Sequence, residues 1–306
     1  MLINCVAYQD GKKLAEIPVE DISTYVSRPD CFVWVALKDA EPAELEKMKE
    51  EFDLHELAVE DARHGHQRPK IEEYGDSLFA VLHTVEFEGD ELVVGEVDVF
   101  VGRNFVLSVR NRTKKGFQDV RARCEREPEL LKHGAGYVLY ALMDSVVDRY
   151  FPVFDALETE LEQIEARIFS GDATTRANIE ALYDLKHKLM TLKHATGPLL
   201  DTIGKLYGSR VPQVCAGMSE YFRDVYDHLI RVNQNIDSMR DMVTTATSVN
   251  LSLITRTENE TTKRLAAYAA LVAYPTKGAG ATGMNCKMRR ALQGAGGSPG
   301  APSDHG

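Results

Sequence analysis

The chain has 306 residues, 44% of them apolar, and a formal net charge of −11. That apolar content suffices for one or two buried cores, and the acidic balance excludes broad contact with nucleic acid, whose affinity comes from Lys and Arg neutralising phosphates. Cys5, Cys31, Cys124, Cys215 and Cys286 are scattered without a C-x-x-C pair, so no disulfide framework or zinc site is indicated and a reduced, cytosolic environment is expected for most of the chain.

The first residues, Met1 to Val6, have no basic flank and no apolar core long enough for a signal peptide. Leu2 to Tyr8, Cys31 to Leu37, Ser77 to Phe87, Leu92 to Gly102 and Asn104 to Arg110 read as short strands, rich in Val, Phe, Leu and Ile and bounded by Gly, Asp or Asn. Between them, Glu41 to Phe52 is predicted helical, with Pro42 in its first turn and acidic residues near the positive end of the helix dipole. Leu54 to Arg63 is a second short helix. The residues up to Arg112 therefore form an α/β domain.

From Gly136 onward the pattern is helical: Tyr137 to Phe169, then Thr175 to Leu206 with a kink at Gly197-Pro198, then a stretch from Met218 to Tyr274 free of Gly and Pro. Gly171-Asp172 and Tyr207 to Pro212 break the run into antiparallel helices. In the last stretch Val225, Leu229, Val232, Ile236, Met239, Val243, Ala246, Asn250, Leu253 and Thr257 recur with alternating spacings of four and three. That is the 3.5-residue period of a helix packed along a seam. At ~1.5 Å per residue such a rod is roughly 80 to 90 Å long. Its seam fades into Asn250 and Thr257, polar residues that favour a wet symmetry axis in a homo-oligomer. The tail after Arg290, rich in Gly and Pro, is expected to be disordered.

Glu60, Asp61, His64 and His66 are the most compact group of potential metal ligands. Nothing else in the sequence completes a zinc shell around them, so a solvated helix end is the favoured reading and a metalloenzyme using Glu60, His64 and His66 the minor one. No G-x-S-x-G, P-loop, H-E-x-x-H or G-x-G-x-x-G fingerprint is present. An enzyme is not expected. Asp144, Asp148, Asp155, Glu158, Glu162 and Glu165 lie at helical spacing. They form either a solvated face or weak sites for hydrated divalent ions between subunits. Leu265 to Tyr274 is apolar and uncharged but about half of the ~20 residues a membrane span needs.

Three groups of residues carry a family resemblance. In the first part they are Trp34-Val35-Ala36-Leu37, the run Phe52 to Asp61, and Gln67-Arg68-Pro69-Lys70-Ile71-Glu72. In the helical part they are Leu142 to Phe151 and Tyr221 to His228, and after them Pro275-Thr276 followed by Gly283-Met284-Asn285. In this order and at these separations they closely resemble the CorA family of magnesium and cobalt channels, from Cys31 to Asn285. The resemblance implies an α+β chain: a funnel-type cytoplasmic α/β domain (1–135), antiparallel helices and a long stalk helix (136–264), the remnant of a first transmembrane helix with the Gly-Met-Asn loop (265–285), and a disordered tail (286–306).

It further implies a homopentamer in which Asn285, shaped by Gly283 and Met284, holds a hydrated Mg²⁺ at a pore mouth, with Asn259 and Thr276 at polar pore positions. A regulatory Mg²⁺ would sit between Asp224 of the stalk and, approximately, Glu88 of a neighbouring α/β domain. The chain departs from the family at Lys277-Gly278-Ala279-Gly280-Ala281-Thr282, where an apolar run is expected. After Asn285 comes Cys286-Lys287-Met288-Arg289-Arg290 rather than a second transmembrane helix.

The leading expectation is divalent-cation transport, Mg²⁺ with Co²⁺ as an alternative, through a homopentameric channel gated by cytoplasmic Mg²⁺. It carries an inner (plasma) membrane location with most of the chain cytoplasmic, lipid contact if the apolar segment inserts, and a soluble cytoplasmic chain if it does not. The alternative is a non-conducting Mg²⁺-binding oligomer or regulator, a truncated family member that pairs with itself or with an intact homologue.

Overall fold

The computed structural model describes the backbone of residues 1–170, 175–208 and 211–293, and the side chains of residues 1–170, 176–208 and 211–271. Two compact units follow one another, Met1–Thr247 and Ser248–Gly306.

The first unit is built on seven strands: β1 (Leu2–Gln9), β2 (Lys12–Glu16), β3 (Cys31–Lys38), β4 (Lys70–Tyr74), β5 (Ser77–Glu88), β6 (Glu91–Gly102) and β7 (Phe105–Asn111). They form one sheet in the order β2-β1-β3-β7-β6-β5-β4. Only β3 and β7 are parallel; every other neighbouring pair is antiparallel. The central strands are buried on both faces, which is why Cys31–Lys38 and Ser77–Glu88 read as nearly continuous apolar runs rather than alternating ones.

Three helices, α1 (Ile22–Val26), α2 (Pro42–Phe52) and α3 (Glu56–His64), cover one face. Their Leu45, Met48, Phe52, Ala58, Val59 and Ala62 share a core with Val33, Val35, Leu37, Phe79, Val81, Leu107 and Val109 of the sheet. The start of α2 follows from its sequence: Pro42 opens the first turn and the Glu41 N–H donates to Glu44 Oε2 at 2.9 Å.

The helical part comprises α4 (Gln118–Arg126), α5 (Pro128–Leu131), α6 (Ala135–Asp148), α7 (Tyr150–Ser170), α8 (Thr175–Ile203) and α9 (Ser219–Gln293). The predicted single helix from Tyr137 to Phe169 is two helices, parted at Arg149. That guanidinium stacks 4.3 Å over the Phe117 ring and donates to the Gly116 carbonyl at 2.7 Å, while the Tyr150 hydroxyl donates to the His83 carbonyl of β5. Two side chains thus tie the α6–α7 junction down beside the sheet.

Within this unit the seam on α9 is buried from Val225 to Ala246. It packs beside α8, where Thr196 Oγ1 donates to Asn233 Oδ1 at 3.2 Å, Asn233 Nδ2 donates to the Leu229 carbonyl, and Lys193 pairs with Asp237 at 2.8 Å. The chain's own helices satisfy the 3.5-residue period over those turns.

In the second unit Leu251, Leu253, Leu265, Tyr268 and Leu271 are exposed. Thr255, Thr257 and Thr261 each donate to a carbonyl four residues back. Among the described residues no helix is long and apolar enough to cross a membrane. This corrects the expected inner-membrane location. Glu258, Glu260, Lys263 and Arg264 crowd the approach to the apolar run at Leu265, and each charge at membrane depth costs on the order of 2.5 to 3.5 kcal/mol.

Candidate metal centre

Asp144 of α6 and Asp224 and His228 of α9 form the centre. Each offers one ligand atom, and these atoms lie within 4.8 Å of one another; among the described residues this is the group of three or more such side chains that converges. Asp224 and His228 are four residues apart and share one helical face, with His228 Nε2 3.8 Å from Asp224 Oδ1. Aromatic packing brings α6 against that face. The Tyr140 ring centroid lies 5.1 Å from Tyr221 and meets Phe222 edge-on at 6.3 Å.

The surroundings are asymmetric. Asp144 is buried and receives Arg123 Nη1 at 3.0 Å, whereas Asp224 is exposed and His228 intermediate. Asp148, one turn beyond Asp144, places Oδ1 4.0 Å from His228 Nδ1, a nitrogen buried without a hydrogen-bond partner. Burial, and then the neighbouring Asp144 carboxylate, raise the Asp148 carboxyl above its ordinary range. Burial and Asp144 also push the Tyr140 hydroxyl up to about 12. Phe151 closes one side, its ring edge-on to His228 at 6.3 Å.

Two or three carboxylates with one imidazole suit a divalent cation. Mg²⁺ dehydrates reluctantly and is commonly held through one or two carboxylates and retained waters, and the imidazole adds a donor favoured by Co²⁺ and Ni²⁺. The donor set therefore fits the ion. Burial pushes the Cys124 and Cys215 thiols up to about 12.

The residues named from sequence are distributed as follows. Asp224 and Asp144 meet in the centre. Glu88 stands at the end of β5, exposed and paired with Lys114 at 2.7 Å. Asn259 is exposed on α9. The side chains of Thr276, Gly283, Met284 and Asn285, and the tail beyond, lie outside the described residues. Glu60 and His64 are tied by a local bond, His64 Nδ1 to the Glu60 carbonyl at 2.9 Å, and His66 turns instead to Arg112. Sequence reading overlooked His228 as a ligand. The signal was present: Asp224 and His228 at i, i+4 on a helix, and Asp144 and Asp148 at i, i+4 on another.

Comparison with known proteins places the chain in a family. Residues 30–296 match the family model described as CorA-like Mg²⁺ transporter protein. The Bacillus subtilis protein YfjQ is 30% identical over 286 residues, covering 93% of this chain and 87% of that protein. The cobalt/magnesium transport protein CorA of Thermotoga maritima is 30% identical over 244 residues, covering 79% of this chain and 69% of that protein. The solved structure of the complete CorA magnesium transporter of Methanocaldococcus jannaschii superposes with a TM-score of 0.72 at 20% identity, over 92% of this chain and 87% of that one. The family is one of transporters rather than catalysts, and the chain is not an enzyme. With the family model matching residues 30–296 and two-thirds or more of each relative covered, the chain belongs to the CorA-like Mg²⁺ transporter family.

Proposed function

We propose that this chain is a divalent-cation-binding, self-associating member of the family that senses Mg²⁺ without conducting it. The observation that carries the reading is the convergence of Asp144, Asp224 and His228 within 4.8 Å. Support for the non-conducting part is that no helix among the described residues is long and apolar enough to cross a membrane.

Assembly follows from the same site. Asp224 is the exposed member of the centre, open to a carboxylate from another copy, and Glu88 at its exposed hairpin end is the candidate. A bound cation neutralises the repulsion between such carboxylates. Mg²⁺ therefore favours the assembled ring, a homopentamer or a mixed ring with a conducting homologue. Native mass spectrometry with and without Mg²⁺ tests this: the account expects the cation to shift the population to an oligomer, and a monomer at every Mg²⁺ concentration contradicts it. Mg²⁺ flux into dye-loaded vesicles carrying only this chain contradicts the non-conducting reading.

A further inference from the structure

Asp148 is the last residue of α6, one turn beyond Asp144, and is not one of the three converging ligands. The two nitrogens of His228 face different carboxylates on opposite edges of the ring. Nε2 lies 3.8 Å from Asp224 Oδ1, and Nδ1 lies 4.0 Å from Asp148 Oδ1. Phe151 packs edge-on against the imidazole at 6.3 Å.

The two edges differ in what they can take. Nδ1 is buried without a hydrogen-bond partner, so an ion that keeps its waters does not fit there and meets the ring at Nε2. Two donors that each stand ~2.1 Å from one divalent ion are about 3 to 4 Å apart, a spacing that Nε2 and Asp224 Oδ1 already have. To take the ion, the Nε2 lone pair must be free, so the ring proton sits on Nδ1. There it needs an acceptor.

Asp148 is placed to be that acceptor. A movement of about 1 Å brings Nδ1 and Oδ1 into the usual N–H···O range, and the Asp148 side chain, 56% exposed, has room to make it. Its main chain is held by the two residues that follow. The Arg149 guanidinium stacks over Phe117 and donates to the Gly116 carbonyl, and the Tyr150 hydroxyl donates to the His83 carbonyl of β5.

Given the proposed cation centre, on which this role rests, we infer that Asp148 is a positioning residue of that centre. Its carboxylate accepts the His228 Nδ1–H, fixes the tautomer that leaves Nε2 open to the ion, and strengthens the imidazole as a donor. Carboxylate partners of metal-bound imidazoles act in this way, and their loss costs about 10- to 100-fold in metal affinity. An ion bonded to the imidazole gains from the relay, and an ion held through oxygen and water gains little. Asp148 therefore raises the affinity for Co²⁺ more than for Mg²⁺. A carboxylate acting only as a nearby charge would favour both divalent ions alike.

The test is calorimetry with Co²⁺ and with Mg²⁺ on the full chain and on Asp148→Ala, His228→Ala and the two combined, a double-mutant cycle. Asp148→Ala is expected to weaken Co²⁺ binding about tenfold and Mg²⁺ binding much less, and to leave Co²⁺ affinity unmoved once His228 is alanine. Asp148→Asn keeps an acceptor oxygen and should fall between the parent and Asp148→Ala. In the Co²⁺-loaded chain the paramagnetically shifted His228 Nδ1–H resonance should be visible by proton NMR in the parent and lost to solvent exchange in Asp148→Ala. Equal losses for the two ions, an undiminished effect of Asp148→Ala without the imidazole, or an Nδ1–H resonance equally protected in Asp148→Ala overturns the positioning role and leaves the cation centre standing. No saturable binding of either ion by the parent chain overturns the centre and the role together.

Discussion

Arg123 and Asp144 are joined at 3.0 Å, Nη1 to Oδ2, so the buried member of the acidic centre already holds a cationic partner. The guanidinium and a metal ion are thus alternative counter-charges for one carboxylate. Arg123 also reaches the Ala141 carbonyl at 3.4 Å, which fixes it to α6.

Removing the guanidinium makes the centre depend on metal. Arg123→Gln is expected to cost about 2 kcal/mol of stability in chelator, the worth of a charge-assisted hydrogen bond to a buried carboxylate. In saturating Mg²⁺ much of that loss should be recovered, since a ligand bound only to the folded state stabilises it by mass action. Denaturant melts with and without Mg²⁺ measure both. An equal loss in the two conditions would mean that Asp144 does not face the ion.

His228 should separate one cation from another. The imidazole is worth more to Co²⁺ than to Mg²⁺, which prefers oxygen. His228→Ala is expected to weaken Co²⁺ binding at least tenfold and Mg²⁺ binding several-fold less, read by calorimetry with each ion. Parallel losses would place His228 outside the coordination sphere and leave it as a partner of Asp224 and Asp148.

A pH-dependent term belongs to the sheet. Asp98 is almost fully buried, one oxygen accepting from Asn111 Nδ2 at 3.4 Å and its carboxyl hydrogen-bonded with the neighbouring Glu96. Burial, and then the Glu96 charge, hold its carboxyl well above the ordinary range. The folded state therefore keeps a proton that the unfolded chain releases above about pH 4. The contribution is favourable at low pH and is lost as pH rises toward the folded-state pKa. Asp98→Asn should raise the melting temperature relative to the parent chain, and the gap should widen from pH 4 to pH 7. A gap that stays constant or narrows would show that Asp98 titrates as an ordinary exposed carboxylate.

How far the sequence reaches is seen in particular elements. The five apolar strands were legible because burial on both faces demands unbroken Val, Phe and Leu runs. Lys12–Glu16 and Lys70–Tyr74 were not, because they are the two edges of the sheet, where charged side chains guard unpaired backbone and erase the apolar signal. Gln118–Arg126 was missed for a related reason: only Val120 and Cys124 of that charged helix are buried. The α9 seam was read correctly as a period, but a period does not name its partner, and α8 of the same chain packs beside it. At the centre the sequence offers Asp224 with His228, and Asp144 with Asp148, each pair four residues apart; that the two pairs meet is not legible, because it is made by Tyr140 packing on Tyr221 and Phe222, a tertiary event that no local spacing encodes.

The most direct test of the cation-sensing account is Mg²⁺ calorimetry on the whole chain beside the isosteric pair Asp144→Asn and Asp224→Asn. Saturable Mg²⁺ binding by the parent chain, weakened at least tenfold in the doubly substituted chain with its fold intact by circular dichroism, is the predicted result; equal Mg²⁺ affinity in the two, or no saturable binding by the parent chain, would contradict it.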